Sequence, residues 1–149
     1  MNKSKIAYIL VLLIITFSGC SEEDDLNEIF VGNTFHITGL TFNRQTVSKD
    51  VKEFYEAGNE AYYITFSTNT FQGVLKKGSH IEGTWNADNK SHKLTLRFGN
   101  NTSLPIYSEI QEKTYTILTH ATVYSGDSQV LRIEQDKDSY ITMTTKKLK

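Results

Sequence analysis

Apolar and polar residues alternate with a period of two over most of the chain, which is the pattern of half-buried strands. Thr34 to Phe42 opens the series. Phe35 and Ile37 share one face; at Gly39 the phase slips, and Leu40 and Phe42 take over. A glycine at a phase slip predicts a bulge or sharp bend. Tyr62, Ile64 and Phe66 make a second strand, and Ser67-Thr68-Asn69 a turn into Phe71, Gly73 and Leu75. Lys77-Gly78-Ser79 then leads to a fourth strand with Ile81, Gly83 and Trp85 on one face. Ala87-Asp88-Asn89-Lys90 turns into Leu94, Leu96 and Phe98, which Gly99-Asn100-Asn101 closes. Leu104 to Ile110 is less regular. Tyr115, Ile117, Thr119, Ala121 and Val123 alternate as a sixth strand. Ser125-Gly126-Asp127 turns into Leu131 and Ile133, and Asp136-Lys137-Asp138 into Ile141 and Met143. Val51, Phe54 and Tyr55 instead show helical spacing and predict one short helix, with Ser48 as N-cap and Gly58 as stop. Eight strands in mostly hairpin order predict an all-β domain, either a closed up-and-down barrel or a sandwich.

The first nineteen residues break the alternation. Lys3 and Lys5 precede an almost unbroken apolar run from Ile6 to Phe17. The run is shorter than the roughly 20 residues of a membrane span and fits the apolar region of an export signal. Small Ser18 and Gly19 then stand directly before Cys20. One reading is an ordinary leader with a chance cysteine near its end. The other is that Phe17-Ser18-Gly19-Cys20 resembles the lipobox of bacterial lipoproteins. That resemblance implies cleavage before Cys20 and lipidation of its thiol with acyl chains such as palmitate. The run Ser21, Glu22, Glu23, Asp24, Asp25 resembles the acidic export tag of surface lipoproteins in Bacteroidetes-type bacteria. These segments divide the chain into a signal peptide (1–19), a lipidated cysteine with a flexible acidic tether (20–29) and a β domain (30–149). The implied place is the outer membrane, lipid-anchored and facing the cell surface.

Charge and cysteine narrow the function classes. Loss of Lys3 and Lys5 with the leader takes the 16 Lys+Arg to 14, against 17 Asp+Glu. Five of those acids are Glu22, Glu23, Asp24, Asp25 and Glu28. The only Lys/Arg cluster is Lys146, Lys147 and Lys149 at the end of the sequence, so no nucleic-acid partner is expected. Cys20 is the one cysteine. The domain therefore has no disulfide, and a thiolate zinc site is excluded.

Phe71 to Phe98, with Gly83-Thr84-Trp85 at its centre, resembles the lipocalin-like domain of small Bacteroidetes-type lipoproteins. Tyr115-Thr116-Ile117 and Leu131-Arg132-Ile133 continue the pattern. The resemblance implies an eight-stranded antiparallel up-and-down barrel, lipocalin-like, with one short helix. It also implies a binding module for a small apolar or amphipathic ligand.

Candidate chemistry is sparse. His36, His80, His92 and His120 fall on four different strands without paired spacing. His36 and His120 alternate toward solvent, and His92 shares the parity of Leu94. Gly126-Asp127-Ser128 resembles a hydrolase nucleophile block but lacks its downstream D-x-x-H, and reads as a turn. Asp136-x-Asp138 offers too few oxygen ligands for calcium. Asp50, Glu53 and Glu56 read as the solvated face of the helix rather than an acid/base pair. No metal, cofactor or enzymatic activity is expected. Tyr62, Phe66, Phe71, Trp85, Phe98 and Tyr115 share the inner parity. They either fill the core or line a ligand cavity with Trp85 at its base, and both need the same residues. The first choice predicts a structural or interaction subunit of an envelope complex, the second a small-ligand binder.

Overall fold

The computed structural model describes residues 22–145. Met1 to Gly19, Cys20 and Ser21 lie outside it, as does the basic end of the chain. The described residues form a closed barrel. Its strands are β1 (Thr34–Phe42), β2 (Gln45–Thr46), β3 (Tyr63–Phe66), β4 (Thr70–Val74), β5 (Ile81–Asp88), β6 (Lys93–Phe98), β7 (Val123–Gly126), β8 (Val130–Asp136) and β9 (Ser139–Thr144). The sheet order is β2-β1-β3-β4-β5-β6-β7-β8-β9, and β1 also pairs with β9. That pairing closes eight antiparallel strands and leaves β2 as a short addition to the end of β1. Closure leaves few free edges for another chain to pair with.

The phase slip in β1 is real. The register with β9 shifts between Ile37 and Gly39. Thr38 stands at the bulge and donates its hydroxyl to the Thr142 carbonyl at 3.2 Å. Phe35, Ile37 and Leu40 all face inward as a result. A single regular strand would have turned Leu40 outward.

Among the described residues there are three helices, not one: α1 (Glu22–Phe30), α2 (Ser48–Glu56) and α3 (Glu109–Thr119). α2 is the expected helix. Its N-cap position falls on Val47 rather than Ser48, and Gly58 ends it in a left-handed φ of +60°. α1 corrects the flexible tether expected over Glu22 to Glu28. Leu26, Ile29 and Phe30 recur at helical spacing and pack against the core, so the boundary between tether and domain at residue 30 cuts through a folded element. Asn33 fastens its C-terminus by donating to the Glu28 and Ile29 carbonyls at 2.9 and 2.8 Å.

α3 corrects the sixth strand. Ser108 caps it, accepting from the Gln111 amide at 3.2 Å, and Gln111, Thr114, Ile117 and Leu118 are buried along one helical face. Only Val123, at the end of the expected strand, enters the sheet. β7 pairs with β6 at the single position Lys93↔Val123. The barrel wall opens beyond that point, and α3 covers the gap, packing on β6, β8 and β9.

Candidate functional site

The six expected inner aromatics meet different fates. Tyr62, Phe66, Phe71 and Trp85 are buried, while Phe98 and Tyr115 are half-buried. Tyr115 lies on α3, not on a strand. Phe66 is central: its ring centroid is 6.2 Å from that of Phe35, 6.3 Å from Phe71 and 5.8 Å from Trp85. Phe98 bridges Phe71 and Tyr115 at 5.2 Å on each side. From α1, Phe30 enters the same cluster, 5.1 Å from Phe66, 4.7 Å from Trp85 and 5.1 Å from Tyr124. These spacings are those of rings in contact. Phe30 closes one end of the barrel, and the aromatics pack on one another rather than around an open space.

The opposite end carries a convergence of polar groups that sequence reading missed. Glu53, from α2, accepts three side-chain hydrogen bonds on Oε1. Tyr62 donates its hydroxyl at 2.5 Å, Lys76 its ammonium at 3.1 Å and Ser108 its hydroxyl at 3.1 Å. The donors come from three separate segments: the approach to β3, the β4–β5 turn and the cap of α3. Burial pushes the Glu53 carboxyl up, but the bonds from Tyr62, Lys76 and Ser108 outweigh it and hold it below the ordinary range. An anion held this way is a poor proton donor at neutral pH. Asp50 does not enter the description at side-chain level, and Glu56 pairs with exposed Lys52 at 3.4 Å.

Beside Glu53 runs a groove of about 330 Å³. Ala57, Ala61 and Tyr62 give it an apolar lining; Glu53, Glu56, Glu60, Lys76 and Lys77 give it charge of both signs. Tyr62 holds a left-handed φ of +53° there, unusual for an aromatic residue. Its amide carbonyl accepts from the Ile37 amide at 2.7 Å, and its ring meets Phe54 at 4.8 Å. Strained backbone of this kind concentrates at binding sites. Of the six aromatics, Tyr62 is the one that lines this groove.

A family model described as a domain of unknown function, DUF4847, matches residues 21–145. The chain belongs to the DUF4847 family. A crystal structure of a DUF4847 family protein from Bacteroides vulgatus is similar, with a TM-score of 0.67 and 25% identity over 83% of this chain and 99% of that one. No curated protein matches. The match to the family begins at residue 21, so the DUF4847 domain takes in α1 and the acidic run Glu22 to Asp25 together with the barrel.

Other candidates in the DUF4847 domain fall to structural roles. His92 is exposed on the β5–β6 turn, not turned inward, and His120 caps α3 rather than lying on a strand. Asp127 accepts from the Gln129 and Val130 amides at 2.7 and 2.9 Å, which makes Gly126-Asp127-Ser128 a hairpin turn. Asp138 pairs with Arg44 at 3.0 Å, and Asp136 accepts from the Asp138 amide. Among the described residues no group of three His, Cys, Asp or Glu is placed to share a metal ion. No described helix is long and apolar enough to cross a membrane.

Proposed function

We propose that the protein is a lipid-anchored envelope lipoprotein that binds a small amphipathic molecule at the groove beside Glu53, outside the barrel. One observation carries the ligand reading: a fixed carboxylate, a strained aromatic and an apolar lining converge on a groove of about 330 Å³. Apolar walls with a few placed polar groups are what small-molecule sites require. Packing of Phe30 against Phe66 and Trp85 turns the same reading away from the barrel interior. The bonded state of Glu53 supports a binding role over an enzymatic one. The lipobox-like Phe17-Ser18-Gly19-Cys20 and the acidic run from Ser21 support anchoring, with the outer membrane and cell surface as the place.

Two measurements test this. Metabolic labelling with an alkyne fatty acid in the native host should mark the wild type and not Cys20→Ala; equal labelling sinks the anchor. Native mass spectrometry of the full chain in detergent should show a discrete added mass. Ala57→Phe, which places a ring in the groove from a half-buried position, should abolish it. A bare mass for wild type would instead favour an interaction subunit. Ile106 and Tyr107 support that second reading, since they are 48% and 64% exposed side by side at the same end of the barrel.

A further inference from the structure

The Glu53 carboxylate is bonded on one side only. Tyr62, Lys76 and Ser108 all donate to the same atom, Oε1. Oε2 accepts from no described residue, and it is not sealed from solvent. A carboxylate offers about four lone-pair sites over its two oxygens. One oxygen is therefore saturated, while the other keeps its full accepting capacity. The side chain is only 25% exposed, and three donors fix its orientation. Oε2 is thus a prepositioned acceptor in the wall of the groove.

The other charges of the lining act in the same direction. Glu53, Glu56 and Glu60 stand against Lys76 and Lys77, three acids to two bases. Lys76 is committed to Glu53 at 3.1 Å. Glu56 pairs with Lys52, but both side chains are largely exposed and the pair is weak. Glu60 and Lys77 make no ion pair with any described residue. An anion entering the groove would meet Lys77 as its one uncommitted cation, with three carboxylates lining the same space.

We propose that the amphiphile bound here carries a primary ammonium head, an assignment that rests on the groove being the binding site. The ammonium donates to Glu53 Oε2, Glu60 adds attraction, and the apolar body lies along Ala57 and Ala61. The geometry separates this head from other cations. A guanidinium binds best through a fork to both carboxylate oxygens, and Oε1 is taken. A quaternary ammonium has no N–H to donate and calls for an open aromatic face. Tyr62 offers none, being 1% exposed. A volume of about 330 Å³ lies near the lower end for small-molecule sites, which keeps the body short.

The test is NMR of the full chain in non-ionic detergent, with alanine methyls labelled so that Ala57 and Ala61 report on the groove. The probes share one chain length: hexylamine, hexyltrimethylammonium, hexanoate and hexanol. Hexylamine should shift both methyls saturably, and at least tenfold more tightly than the other three. Glu60→Gln should weaken it about two- to fivefold, and Lys77→Gln should tighten it by a similar factor. Both residues are exposed, so the fold and Tm should be unchanged. Glu53→Gln, which puts an amide in place of the open oxygen, should weaken it tenfold or more. Hexanoate, hexanol or hexyltrimethylammonium binding as tightly as hexylamine overturns the ammonium head and leaves the groove reading standing. Opposite signs for Glu60→Gln and Lys77→Gln do the same. If hexylamine moves neither methyl while the wild type still carries an added mass that Ala57→Phe removes, the ammonium head alone falls. If no probe shifts the methyls and no added mass is found, both readings fall.

Discussion

At Glu53 two opposing effects meet, and their balance can be read from the acid limb of stability. Burial disfavours the charge, and bonds from Tyr62, Lys76 and Ser108 favour it more, so the folded-state pKa is depressed. A depressed carboxylate stabilises the fold above its unfolded pKa of about 4.3, and that contribution is lost as pH falls through the lower folded value. Glu53→Gln should therefore cost about 1–3 kcal/mol near neutral pH, the magnitude of hydrogen bonds to a charged group. The deficit should shrink toward zero in strong acid, where the wild type has lost the charge too. Urea unfolding from pH 7 down to pH 2 checks this, and a deficit independent of pH would assign the loss to shape rather than charge. Gly83 makes a second residue-scale case. A Cβ there would lie 2.0 Å from the Arg97 carbonyl oxygen and 2.9 Å from the Phe71 ring. Two residues on, the Trp85 indole donates to the Ser67 carbonyl at 2.8 Å. The Gly-x-Trp pattern thus records a close strand crossing followed by an anchored ring. Gly83→Ala should destabilise by about 1–3 kcal/mol or more by overpacking, visible as a lowered Tm.

Among the elements, α3 is where sequence and structure part, and the cause is competition between two periods. Tyr115, Ile117 and Thr119 alternate as a strand would, yet Gln111, Thr114, Ile117 and Leu118 recur as a helical face. A short window rich in Thr and Ile satisfies both templates. The decisive signal was local: Ser108-x-x-Gln111 has the spacing of a capping box. The box is modified here. Gln111 is buried, its Oε1 accepts from the Tyr107 amide at 2.8 Å, and its Nε2 donates to the Pro105 carbonyl at 2.9 Å. Gln111→Ala should strand both partners, cost about 1–3 kcal/mol and speed hydrogen exchange at the Tyr107 amide. Unchanged exchange would show that the loop is held by other contacts. The barrel strands were legible because each has one wet face, so alternation and turn residues fix them. The Glu53 cluster was not, because its donors are 9, 23 and 55 residues away and meet only through the fold.

For the whole molecule, the question is whether α1 belongs to the folding unit or merely precedes it. Its acidic first turn reads as a solvated tether, but its last turn places Phe30 at 0% exposure between Phe66, Trp85 and Tyr124. A helix of that length extends about 14 Å. If Cys20 carries lipid, α1 therefore holds its end of the barrel close to the bilayer and leaves the Glu53 end facing away. The chain has a single tryptophan, Trp85, whose ring lies 4.7 Å from Phe30, so fluorescence reports directly on this contact. Phe30→Ala should shift Trp85 emission to the red as water reaches the vacated space. The cavity should cost about 3–5 kcal/mol, which for a domain of this size lowers Tm by roughly 10–20 °C. A red shift with that loss of Tm makes α1 the closing element of the barrel. The same emission and the same Tm would instead make α1 a detachable leader, and the orientation it imposes on the barrel would go with it.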